Sequence, residues 1–284
     1  MWGLFPLYFP LLKPAGAVEI LAHRIVWSLV VVAIVLALGR RWSWLRPLLR
    51  DRALTTRLAA AALLITVNWV VYIWGVNHGH VVESSLGYFI NPLVTVLLGV
   101  LLLHERLRPV QWTAVGIGLL AVVVLTVAYG RPPWIALALA FSFAGYGLMK
   151  KQVGARVEAL QSLAVETAVL AGPAAAYLAW LAVRGEGQLG SGGPGPSLLL
   201  ISAGIVTAVP LLFFGAAARR VPLTTMGLLQ YLTPVLQLLI GVLVYDEAMP
   251  PARLAGFALV WVALLVLSVD ALRRGRRIRR AARG

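Results

Sequence analysis

Apolar residues come in long runs along the chain, and charges fall almost wholly between them. A bilayer crossing needs about 20 apolar residues. Cut at charges, turns and Gly/Pro clusters, the pattern predicts ten helical spans, at roughly 1–12, 17–39, 55–77, 82–103, 109–128, 132–150, 157–183, 197–218, 223–245 and 251–271. Pro109, the Pro132-Pro133 pair and the Pro250-Pro251 pair sit where a new run begins, as suits a residue that needs no donor partner in a first helical turn. The stretch GEGQLGSGGPGPS, residues 185–197, reads as a flexible surface loop. The first run is short for a span, with twelve residues before Lys13, so either the true start lies upstream of Met1 or the first helix is a stub.

Two of the runs share one design. Residues 83–105, ESSLGYFINPLVTVLLGVLLLHE, and 225–247, TMGLLQYLTPVLQLLIGVLVYDE, set Pro92 and Pro234, Gly99 and Gly241, and Glu105 and Glu247 each 142 positions apart, half of the 284-residue length. Each run is broken once by a proline that follows a polar residue, Asn91 or Thr233, and each ends on a glutamate. A helical proline frees a carbonyl one turn back, which a membrane tolerates where the bundle interior or a cavity supplies a partner. Matched proline-broken runs in two halves point towards the substrate pathway of a transporter, with Pro92 and Pro234 as hinges. The alternative is that both prolines only bend helices for packing.

Composition agrees with the pattern. Hydrophobic residues make up 61% and charged residues 12% of the chain, and the mean hydropathy is +0.88, which places it among polytopic membrane proteins. The absence of cysteine excludes disulfides and thiol chemistry. No basic segment opens the chain, which argues against a cleaved signal peptide.

Charge then orients the spans. With the amino terminus inside, twenty Lys and Arg residues fall on inner segments and four (Lys13, Arg131, Arg184, Arg253) on outer ones, with Arg24 inside a span. That bias predicts both termini to be cytoplasmic. The tail RRGRRIRRAARG can touch anionic membrane lipids, and a run beside a span gives no ground for nucleic-acid binding. Five spans per half is an odd number, so the halves enter the membrane from opposite sides. The expected fold is therefore all-α, a polytopic membrane protein of ten transmembrane helices arranged as two inverted five-helix repeats, 1–128 and 132–271, with a basic cytoplasmic tail at 272–284.

The strings EILAHRIVWS at 19–28, NWVVYIWGVNHGHVVESSLGYFINPLVTVLLG at 68–99, SFAGYGLMKK at 142–151 and LLQYLTPVLQLLIG at 228–241 resemble the RarD branch of EamA transporters, in the drug/metabolite transporter superfamily. The resemblance covers nearly the whole chain. It implies two inverted five-helix repeats, an inner-membrane location and export or exchange of small organic solutes or drugs without a cofactor. The chain departs from the family pattern at its amino terminus, where about ten residues of the first helix are lacking.

Polar groups within spans are costly and normally face the bundle interior or water, which selects the candidate substrate residues. His23 and Arg24 lie about two turns into the second span. Asn68, Trp69 and Tyr72 share a face of the third, and Tyr88 and Asn91 sit beside Pro92. Gln230 and Thr233 precede Pro234, Gln237 follows one turn later, and Glu166 is the carboxylate deepest in any span. For each amide the competing reading is an interhelical hydrogen bond. Arg24 and Glu166 have similar expected depths in a ~30 Å hydrocarbon layer, which suggests a functional charge pair between the halves, with His23 modulating proton occupancy and protons as a candidate coupling ion. His78 and His80 form an HGH pair without further metal ligands nearby in sequence. Glu83, Glu105 and the Asp246-Glu247 pair read as boundary residues at span ends. The expected function is a secondary transporter working by alternating access. The alternative is a membrane-embedded enzyme acting on a lipid-linked substrate, but the chain shows neither a catalytic cluster nor a nucleotide-binding loop.

Overall fold

The computed structural model describes residues 1–39, 42–104, 107–153, 156–218 and 231–281. Among them every regular element is helical. A backbone surrounded by lipid must satisfy its own polar groups, and a helix does so within one segment. Residues Trp2–Leu12 form a composite of short turns around α1 (Phe5–Tyr8). There follow α2 (Ala17–Leu38), α3 (Leu45–Arg50), α4 (Arg52–Asn77), α5 (Val81–Leu103), α6 (Pro109–Tyr129), α7 (Trp134–Val153), α8 (Ala159–Arg184), α9 (Pro194–Ala218), α10 (Leu232–Leu243) and α11 (Pro251–Ala281). Seven of these (α2, α4, α5, α6, α8, α9 and α11) are long and apolar enough to cross a membrane.

Local chemistry fixes several helix ends. Asp51 accepts a hydrogen bond from Leu54 N at 3.0 Å and so starts α4 three residues before the expected span. Gln111 and Gln161 reach back to the backbone N–H groups of Arg108 and Glu158, closing capping boxes at α6 and α8. Three departures from expectation stand out. The short α3 lies in what the pattern reads as an inner loop, α9 begins at Pro194 inside the expected surface loop, and α11 carries the basic tail on as helix, in keeping with the helix propensity of arginine and alanine.

The prolines also sort differently. Pro92 lies inside α5, but Pro173 in α8 and Pro210 in α9 are interior as well, so an interior proline does not single out the repeated segment. Pro234 is the third residue of α10, in the first turn, where its missing N–H leaves nothing unpaired. Residues 219–230, and with them the candidate Gln230, lie outside the described residues.

α7 runs between α4 and α5. Its small and polar residues, Ser142, Gly145 and Tyr146, lower its hydropathy because the helix meets protein more than lipid. α2 packs on α8 and α9, α4 on α8, α10 on α5 and on the first segment, and α6 on α11. Gly204 permits the α2–α9 contact: a Cβ there would lie 2.4 Å from Trp27, and Ser28 Oγ donates to the Gly204 carbonyl at 3.2 Å. One apolar cluster joins the first segment to α2, α4 and α7, and a second joins α5, α6, α7 and α11. The outer faces of α6 and α11 expose Leu119, Leu120, Val123, Val262 and Leu265, as lipid-facing surfaces do.

Candidate functional site

Arg24 sits seven residues into α2, roughly 10 Å along the helix at about 1.5 Å per residue, and is 3% exposed. Its guanidinium carbon lies 4.5 Å from the Trp69 ring centre, 5.2 Å from Phe9 and 5.6 Å from Phe5. Its Nε donates to Thr207 Oγ1 on α9 at 2.9 Å. Among the described residues its Nη1 has no hydrogen-bond partner, nor has either ring nitrogen of the adjoining buried His23. Among the described residues the titratable groups that act on Arg24 are the neutral hydroxyls of Tyr8, Tyr72 and Tyr88, with no carboxylate among them. An arginine at mid-span costs ~2.5–3.5 kcal/mol on insertion scales. Ring faces return about 0.5–2 kcal/mol, so the aromatic nest shelters the charge without supplying an anion.

The remaining candidates extend from this nest. Tyr72 packs edge-on against Phe9 at 6.0 Å and against Tyr88 at 5.6 Å, and Tyr88 packs against Phe143 at 5.9 Å, which in turn meets Tyr146 at 6.0 Å. Trp69, Tyr88, Phe143 and Tyr146 are only partly buried. Tyr72 and Gln237 are neighbours, both almost fully buried, yet the Tyr72 hydroxyl and Gln237 Oε1 complete no well-formed hydrogen bond. Gln237 Nε2 donates to the Trp2 carbonyl at 3.3 Å, and Tyr245 donates to the Pro6 carbonyl at 2.7 Å, so α10 and the segment after it tie down the first segment. Tyr8 completes the wall, donating to the Leu199 carbonyl and sharing a 2.9 Å hydrogen bond with Ser202 on α9.

Two amides act as interhelical bridges. Asn68 donates to the Leu139 carbonyl at 3.0 Å and to Ser142 Oγ at 3.1 Å, and accepts from Tyr88 at 3.1 Å. Asn91 donates to the Ala140 carbonyl at 3.1 Å. Both therefore bind α7 to its neighbours, the competing reading of such groups.

The expected Arg24–Glu166 pair is not formed. Glu166 Oε1 accepts from Lys150 at 2.8 Å and from Ser162 at 2.6 Å, and Oε2 accepts from Tyr146 at 3.2 Å, while Arg24 turns to Thr207 and the rings. Similar depth along the membrane normal does not bring two side chains together when their helices present them to different neighbours, and Lys150 offers Glu166 a nearer cation. The rings from Phe9 through Tyr146 form a file that joins the two charged sites.

At the other helix ends, carboxylates hold backbone. Glu247 accepts from Val81 N at 2.5 Å and Val82 N at 2.8 Å, capping α5, whose own N-cap residue His80 supplies no side-chain bond. Burial pushes the Glu247 carboxyl above its ordinary value against the opposing pull of those two N–H groups. Glu83 pairs with Arg131 at 2.8 Å and accepts from Ile135 N at 3.1 Å, so it serves α7 rather than its own helix. His78 and His80 stack on Trp74 at 4.4 and 5.7 Å, and burial holds the His80 imidazole below its usual value.

Reading the sequence missed Phe5, Tyr8, Phe9 and Thr207 around Arg24, and Tyr146, Lys150 and Ser162 around Glu166. The signal in the first group is the i, i+3, i+4 spacing of Phe5, Tyr8 and Phe9 in the short first run.

Long apolar helices packed around buried charged and aromatic groups define a multi-pass membrane protein with a polar interior. The chain belongs to the EamA-like transporter family, which it matches over residues 1–127 and 132–269. It is 60% identical to Protein RarD of Streptomyces exfoliatus, covering 98% of this chain and 88% of that one. It is 43% identical to Protein RarD of Escherichia coli (strain K12), covering 98% and 93%. A solved crystal structure at 21% identity matches the fold with a TM-score of 0.60, covering 95% of this chain and 94% of the other. The chain is thus a membrane transporter and not an enzyme.

Proposed function

We propose that this transporter moves a small organic solute by alternating access, as an exporter or exchanger in the bacterial inner membrane, with both termini cytoplasmic and ten spans in two inverted halves. The observation that carries the reading is the Arg24 nest: Phe5, Phe9, Trp69 and Arg24 come from the first half and Thr207 from the second, so one buried polar site is built by both. The neighbour pattern supports the repeat. Exchanging the first five apolar segments for the last five turns the α5–α7 contact into that of α10 with the first segment, turns α2–α9 into α4–α8, and leaves α6–α11 unchanged. The distribution of basic residues supports the orientation. His23, Arg24, Trp69, Tyr72, Tyr88 and Gln237 face the solute, Asn68 and Asn91 hold the wall, and a solute or proton gradient supplies the energy.

The chain has no cysteine, so single cysteines report cleanly. Trp69→Cys and Gln237→Cys, each in sealed right-side-out and inside-out vesicles, are expected to react with a membrane-impermeant thiol reagent from both sides. Reaction from one side only, at both positions, overturns alternating access. Labelling of Ser191→Cys from the cytoplasmic side alone overturns the orientation.

A further inference from the structure

We propose that the solute is an organic anion, a small monocarboxylate with a flat apolar body, whose carboxylate seats on Arg24. This deepens the transporter reading and rests on it. Arg24 is a positive charge, 3% exposed, and among the described residues the titratable groups that act on it are neutral tyrosines, with no carboxylate among them. Its Nη1 is an unspent donor among the described residues, and the hydroxyl of the neighbouring Tyr72 is another. A carboxylate is the group that answers both, since its two oxygens accept hydrogen bonds side by side while its charge neutralises the guanidinium. A neutral amide would leave the charge uncompensated, and an amine would be repelled. Gln237 Oε1, unpartnered beside Tyr72, adds an acceptor for a hydroxyl or N–H elsewhere on the solute.

The surroundings set the rest of the molecule. Phe5, Phe9 and Trp69 crowd the guanidinium, and the ring file continues through Tyr72 and Tyr88 to Phe143, with several rings only partly buried. The uncovered parts of the partly buried Trp69, Tyr88 and Phe143 rings offer a flat apolar body a stacking surface. A two-carbon anion would satisfy Arg24 but leave the rings without contact.

The test is a shape-matched panel added to the purified full-length protein, with thermal unfolding followed by tryptophan fluorescence. The probes are 3-phenylpropionate, 3-phenylpropionamide, 3-phenylpropylamine and acetate. A ligand that binds the folded state raises its unfolding temperature. Phenylpropionate is expected to raise it in a saturable way, acetate to act only at much higher concentration, and the amide and amine not at all. Arg24→Gln is expected to weaken phenylpropionate binding on the order of 30-fold or more, with Arg24→Lys retaining part of it. Equal stabilisation by the amide or amine, no response to phenylpropionate, or unchanged carboxylate binding in Arg24→Gln overturns the assignment. The wild-type panel decides the matter by itself if Arg24→Gln does not fold. Counterflow in proteoliposomes separates the two claims: the anion assignment falls if the amide or amine is what binds, and the reading of the Arg24 nest as the alternating-access site falls if a probe that binds there is not moved.

Discussion

Replacing Glu247 tests whether a carboxylate in the α10–α11 connection caps α5. Its two oxygens take the Val81 and Val82 N–H groups, which α5 cannot satisfy through His80. Losing a helix cap costs about 1 kcal/mol. With two donors left without a partner, Glu247→Ala is expected to cost ~2 kcal/mol, which for a chain of this size lowers Tm by roughly 3–4 °C. Glu247→Gln keeps an acceptor oxygen and avoids burying a charge, so it should recover most of that loss. The pH dependence follows from the upward shift of the carboxyl, whose first cause is burial. A carboxyl with a higher value in the folded state than in the unfolded state binds its proton more tightly when folded. Its contribution is therefore fully present below the ordinary carboxylate value and is lost as pH rises through the raised one. Tryptophan-fluorescence melts of wild type, Glu247→Gln and Glu247→Ala between pH 4 and 8 read this directly. The wild-type Tm should fall relative to that of Glu247→Gln as pH rises. An alanine variant that melts with the wild type refutes the capping argument, and a wild-type advantage over Glu247→Gln that grows with pH refutes the upward shift of the carboxyl.

Three further outcomes follow from the packing. Asn68→Ala leaves the Tyr88 hydroxyl and the Leu139 carbonyl without their bridge, and should destabilise the protein by about 1–3 kcal/mol in the same melt; an unchanged Tm would show the bridge to be dispensable. Gly204→Val places side-chain atoms where even a Cβ lies 2.4 Å from Trp27, so the α2–α9 contact must open, costing about 1–3 kcal/mol or more, seen as lost monodisperse yield in size-exclusion chromatography. Because Arg24 and Glu166 take separate partners, a double-mutant cycle of Arg24→Met and Glu166→Leu on stability should show coupling under about 0.5 kcal/mol, and a coupling of several times that would restore their pairing.

Most helix positions were legible because a run of apolar residues between charges has one low-cost conformation in lipid. α7 shows where that logic thins: it is placed by its length and its flanking prolines and lysines, while its small and polar residues, which lower its hydropathy, belong to a helix packed between α4 and α5. Arg24 and Glu166 were legible as buried charges since a charge in a span requires an explanation. Their partners were not, because depth is one coordinate and the direction in which a helix turns its side chain is another. The ring nest stayed hidden for a related reason. Phe5 and Phe9 matter through contacts with residues far away in sequence, and a twelve-residue segment read by hydropathy alone gives no hint of them.

The hydrogen bond from Arg24 to Thr207 spans 183 positions. A ribosome adding about 5–20 residues per second needs roughly 10–40 s to deliver the second residue after the first. The anchors of the first segment come later still: Gln237 reaches Trp2 across 235 positions and Tyr245 reaches Pro6 across 239. During that interval α2 and the rings around its guanidinium are already made, while Thr207 and the residues that anchor the first segment are not. The first half is therefore unfinished when its last helix leaves the ribosome, and the bundle closes only once the chain is nearly complete.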